Sequence, residues 1–80
     1  MLTPKKAEQL ASKILEDYVN ACECKDEQDV ANVLMKLVSL CGLAMCAVVG
    51  QKEAIERMQG TTNYISRKEN SASWDKTVVQ

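Results

Sequence analysis

An 80-residue chain with 10 Lys and Arg against 11 Asp and Glu carries a net charge of -1, so no global field draws it to nucleic acid or to an anionic membrane. It has no histidine, which removes the commonest general base, the usual serine and cysteine triads and the most frequent metal ligand; the expectation is a protein that is not an enzyme, with no catalytic residue, no metal site and no cofactor. At this length one domain is the limit and only about two thirds of the unfolded chain's surface can be buried, so stability is thin and a second subunit would help.

The opening stretch MLTPKKAEQL holds two lysines with no apolar run behind them and does not read as a secretory signal. With free cysteines, the cytoplasm is the expected compartment. Thr3 is placed to cap a helix and Pro4 to occupy its first turn, where a missing N–H costs nothing. Ala7, Ala11, Ile14, Tyr18 and Ala21 follow at helical spacing, widened by Leu10, Leu15, Val19 and Cys22, with Lys6, Glu8, Lys13, Glu16, Asp17, Asn20 and Glu23 opposite. A first helix over about 4–24 is expected, with that apolar stripe on a core.

KDEQDV interrupts the pattern: Asp26 can cap a second helix and Glu27 falls in its positive first turn. The result expected is a helical hairpin whose second helix spans about 27–49, roughly 36 Å. Gly42 within it permits close approach of another backbone, and Gly50 reads as a left-handed αL residue that stops it. A third helix over about 51–68 follows from Ala54, Ile55, Met58, Thr62, Tyr64 and Ile65, supported by Glu53 four residues before Arg57. Gly60, Thr61 and Thr62 are poor helix formers in succession and mark a place to kink or fray. The chain therefore divides into a three-helix domain over 1–68 and a tail or docking arm over 69–80, SASWDKTVVQ preceded by two polar residues.

The stretch LVSLCGLAMCAVVG (37–50) poses the main question, because its 13 residues before the glycine carry no charge. On a helical wheel Asn32, Lys36 and Ser39 form a polar strip that continues as Leu43, Cys46 and Ala47, so the strip turns apolar halfway along. Two neighbouring helices cannot wrap a middle one completely. The favoured cover is a second copy of the chain, packed on Leu40, Leu43, Ala44 and Ala47, with small residues allowing close approach. The alternatives are the tail, folding back with Trp74 or with Val78 and Val79, and a membrane. Against a membrane, 13 uncharged residues fall below the roughly 17 to 25 that a span needs, and extension to Val33 brings in Lys36.

Cys22, Cys24, Cys41 and Cys46 invite a zinc or disulfide reading. Residues two or five apart on a helix point about 160° and 140° away from each other, and in a hairpin Cys41 lies roughly 15 to 20 Å from the Cys22 and Cys24 end. They read instead as small apolar packing residues, as Met35, Met45 and Met58 read as core fillers. Glu53, Glu56 and Glu69 with Arg57 and Arg67 resemble a solvated face, and the glutamates among Lys52, Arg57, Arg67 and Lys68 weaken any phosphate-binding footprint. Trp74, the only tryptophan in a chain without phenylalanine, sits in a polar segment and is either docked on the bundle or an aromatic anchor for another protein.

In length and helical style the chain is similar to the small single-domain proteins that phages and mobile elements encode to bind and inhibit, or modify, host proteins. That resemblance carries no residue with it. It implies a protein-protein interaction module; the apolar half of the second helix points to a homodimer or higher oligomer, and Trp74, Tyr64 and Arg67 are the partner-binding candidates. The alternative is an oligomer that binds a small molecule or nucleotide in pockets between subunits, held by helix-end groups such as Asn63, Tyr64 and Arg67.

Overall fold

A computed structural model describes residues 1–68 as three α-helices, α1 (Pro4–Ala21), α2 (Glu27–Val49) and α3 (Gln51–Ser66), with no strand among the described residues. The fold class is all-α.

Thr3 caps α1 as its sequence position implies: its backbone is extended (φ -64, ψ 156), its hydroxyl accepts the Lys6 N–H at 3.2 Å, and Pro4 follows. The helix stops at Ala21, short of the expected residue 24. Cys22 still donates its N–H to Tyr18 and Val19 carbonyls at 3.1 and 3.2 Å, and Glu23 then takes the left-handed conformation, φ 54. The reason lies in Cys24. On a continued helix it would point about 140° away from Val19, whereas the turn at Glu23 brings it back to be buried with Val19 and Val30.

At the start of α2, Asp26 Oδ1 accepts the Asp29 N–H at 2.8 Å, while Asp29 Oδ2 accepts the Lys25 N–H at 3.0 Å. This reciprocal arrangement satisfies donors on both sides of the helix start and puts Glu27 and Asp29 in its positive first turn. Gly50 alone joins α2 to α3. Its N–H completes α2 on the Cys46 carbonyl and its own carbonyl takes the Ala54 N–H, both at 3.0 Å. Its conformation, φ 90 and ψ 158, is not the αL expected but the mirror-extended region open essentially to glycine.

Gly60 does not interrupt the helix: α3 runs through it to Ser66. Thr62 directs its hydroxyl back to the Met58 carbonyl at 3.1 Å, and so sits in the helix without unwinding it. The helix ends two residues before the expected boundary, where Lys68 donates to the Ile65 carbonyl at 3.0 Å in a tighter last turn. The two glycines therefore predict opposite outcomes for one substitution. Gly50→Ala lowers stability by about 1 to 3 kcal/mol, because the side chain is strained at that φ. Gly60→Ala, where an added Cβ meets nothing within 4 Å, raises it by about 0.5 to 1 kcal/mol. Urea denaturation of the two variants checks both signs.

The described residues fall into two compact units, one over 1–34 and the other over 35–68, with the boundary inside α2. In the first, Val19, Cys24 and Val30 form a buried cluster with Tyr18, Val33 and Leu34 against it, and the Tyr18 hydroxyl donates to the Val33 carbonyl at 2.7 Å. Only the end of the predicted α1 stripe is buried: Leu10 and Ile14 are exposed. In the second, Ala54 is buried and Gly42 meets Met58, where a Cβ on the glycine would lie 2.8 Å from Sδ. Gly42 thus makes room for the Met58 side chain, where the close approach of another backbone was expected. Ile55, Tyr64 and Ile65 are exposed rather than on a core, and so is Met35, contrary to the core-filling place its spacing implies. Periodicity marks which residues share a face, but a face is buried only where a second surface reaches it.

Candidate interaction surface

The second half of α2 presents a line of side chains at intervals of four, three and four: Lys36, Leu40, Leu43 and Ala47. On a 3.6-residue helix these share one face. Leu40 and Leu43 are 65% and 67% exposed, Ala44 and Ala47 are also exposed, and Val48 at the edge of the face reaches 81%. The four residues expected to form an oligomer interface therefore lie together on the surface. On the other side of the helix Gly42 is buried and Met45 half-buried, while Leu37, beside Ala44 on the wheel, is half-buried. Cys46 departs from its expected place on the outward strip: it lies about 60° from Leu43 on the Gly42 side, and is half-buried.

Val48 is the member of this surface that sequence reasoning missed. It stands four residues after Ala44 and so continues the same edge. Lys36 is the only charged side chain on the line and stands at its N-terminal end.

Tyr64 and Arg67 lie elsewhere, at the C-terminal end of α3, Tyr64 in its last turn and Arg67 just after it. Tyr64 is exposed, with Lys68 Nζ 5.0 Å above its ring centre, a cation–π contact of modest strength at such a site. Arg67 closes the helix with its backbone N–H on the Asn63 and Tyr64 carbonyls at 3.3 and 3.2 Å, leaving its residue exposed. Trp74, like Val78 and Val79, lies outside the described residues. A shallow depression of about 270 Å³ is lined by Ala44, Met45, Val48, Val49 and Arg57. The Arg57 guanidinium is already held by Glu53 at 2.9 Å, and the depression gathers none of Asn63, Tyr64 and Arg67, the residues named for a nucleotide-like ligand.

The chain matches no family model, no curated protein and no solved structure.

The four cysteines separate by environment. Cys24 is buried and its thiol lies 3.9 Å from the Val19 carbonyl, Cys46 is half-buried, and Cys22 and Cys41 are exposed. The reading of all four as packing residues therefore fails for Cys22 and Cys41, whose side chains are exposed. Among the described residues no group of three or more His, Cys, Asp or Glu is placed to hold a metal ion.

Burial pushes the Cys24 thiol above its ordinary value of 9.0, helped by neighbouring Cys22 and Asp29; burial likewise raises the Tyr18 phenol, with Cys22 adding to it. Both groups favour the protonated form in the folded chain, so the stability they contribute is full below their unfolded values and is lost as pH rises through the folded ones. Iodoacetamide at pH 8 should alkylate Cys22 and Cys41 fast and Cys24 slowest, and the melting temperature should fall once pH rises above about 9. Mass spectrometry of a labelling time course, with melting curves from pH 7 to 11, checks both.

Proposed function

We propose that this protein is a non-enzymatic protein-protein interaction module whose copies associate through the outward face of α2. The α3 end with Tyr64 and Arg67, together with the 69–80 segment carrying Trp74, is left to meet a different protein. Such a module acts by occupying a partner's surface, as an inhibitor or modulator does. One observation carries the reading: Leu40 and Leu43, adjacent on one helix face, are each about two-thirds exposed. Covering apolar area gains about 25 cal/mol per Å², and the buried hydrophobic residues Val19, Cys24, Val30 and Ala54 make a small core for 68 described residues. Association would supply what that core lacks. The melting temperature should then rise with protein concentration, since association stabilises the folded chain by mass action. A melting temperature independent of concentration over a hundredfold range would contradict it.

A second reading is favoured by a separate observation. α2 is long and apolar enough to cross a membrane by length and composition, with mean hydropathy 2.0 over an 18-residue window of which 6% is buried. That window tolerates Lys36, which lies within reach of a polar boundary when its stem snorkels. Flotation with phospholipid vesicles separates the readings: association between copies predicts protein left at the bottom of the gradient, and membrane insertion predicts protein carried up with lipid.

A further inference from the structure

The outward line on α2 is asymmetric along its length, and the asymmetry selects how a second copy lies on it. Lys36 stands at one end, Leu40 and Leu43 fill the middle, and Ala47 closes the other end. At that far end the last carbonyls of α2 carry the negative pole of the helix dipole, and no basic residue stands in the turn. Ala47, Val48 and Val49 are all exposed there.

Resting on the self-association reading above, we infer that two copies pack α2 against α2 in antiparallel fashion, with Lys36 of each capping the C-terminal end of the other's α2. Setting Leu40 against the second copy's Leu43 brings Lys36 opposite the second copy's Ala47 in the same register, because both pairs have the same midpoint along the helix. The small Ala47 leaves room for the lysine stem to lie flat, and the ammonium then reaches the carbonyls just beyond it. The twofold arrangement makes this contact twice. A parallel arrangement does the reverse: it places the two Lys36 ammonium groups side by side, aligns the two helix dipoles and brings no lysine of the second copy to either C-terminal end. The antiparallel crossing also covers the apolar halves of both helices while leaving Asn32 at the polar end of each.

Cross-linking tests the geometry separately from association. In a background with Cys22, Cys41 and Cys46 changed to serine, and with its helicity and dimeric mass verified first, Lys36→Cys and Ala47→Cys chains are oxidised alone and as a mixture. The antiparallel register predicts a disulfide dimer only in the mixture, since identical positions then lie about 16 Å apart along the axis and beyond disulfide reach. Disulfide formation by either variant alone, or none in the mixture while the chain remains dimeric, overturns this arrangement but leaves self-association standing. A monomeric parent chain overturns both. In the otherwise unchanged protein, Lys36→Glu should weaken dimerisation about tenfold and Lys36→Arg should leave it nearly unchanged; equal dissociation constants for the two variants would overturn the capping role.

Discussion

Replacing Val19 with aspartate should leave the chain unfolded at 25 °C. Val19 is 0% exposed and, with Cys24, is one of the largest fully buried side chains. The groups packed with it are Cys24 and Val30, with Tyr18, Val33 and Leu34 around them, and none is a cation. A carboxylate there loses its hydration without gaining a partner, at a cost of several kcal/mol. Small domains have about 5 kcal/mol in total at the low end of the usual range, so the penalty consumes the stability available. The milder Val19→Ala should cost about 1.5 kcal/mol for the methyl groups removed and remain folded. Ile14→Asp, on the same predicted stripe but exposed in the structure, should shift stability by less than about 1 kcal/mol. Circular dichroism at 222 nm with thermal melts reads all three, and a Val19→Asp protein with native helicity and an unchanged melting temperature would show that this cluster does not hold the fold.

The contrast between Val19 and Ile14 marks how far sequence alone reaches. Caps are local chemistry, so Thr3 with Pro4, and Asp26, place helix starts without reference to the rest of the chain. The Glu53–Arg57 pair is local in the same way, four residues apart on one helix face. Burial is not local. Leu10, Ile14, Ile55 and Ile65 have the spacing of core residues and yet are exposed, because no periodicity tells how far along a helix its neighbour extends. The turn at Glu23 was hidden for a related reason: no glycine or proline marks it, while burial of Cys24 beside Val19 requires the chain to leave the helix. Glycine conformations were legible in kind but not in detail, since Gly50 has the positive φ expected of it with an extended ψ of 158.

The candidate surface was more legible than the core, because it rests on an excess rather than on a packing partner. A helix apolar on every side over its second half must leave some apolar side uncovered when only one or two neighbours are at hand. Leu40, Leu43, Ala44 and Ala47 were identifiable on that ground, and all four are exposed. Val48 escaped notice because it stands at the edge of the face.

Leu43→Lys has the second large effect, on assembly rather than on folding. Leu43 is 67% exposed in the single chain, so a lysine at that position is solvated before association and the isolated fold tolerates it, with a stability change of about 0.5 kcal/mol or less. At the centre of an interface between copies, by contrast, two lysines face a low-dielectric contact and each other. Charge burial without a partner, made twice by symmetry, costs several kcal/mol, which corresponds to a loss of affinity of about a thousandfold or more. Lys36→Ala, at the polar end of the same line, should weaken association far less.

The solution mass by light scattering over a hundredfold range of concentration, for the unchanged protein and for Leu43→Lys, tests whether copies of the chain associate through α2. The unchanged protein should have at least twice the mass of the 8.9 kDa chain, and Leu43→Lys should be a monomer of native helicity. A folded monomer at every concentration for the unchanged protein, or an oligomer that Leu43→Lys leaves intact, would contradict the assignment of α2's outward face as the surface through which copies of this chain associate.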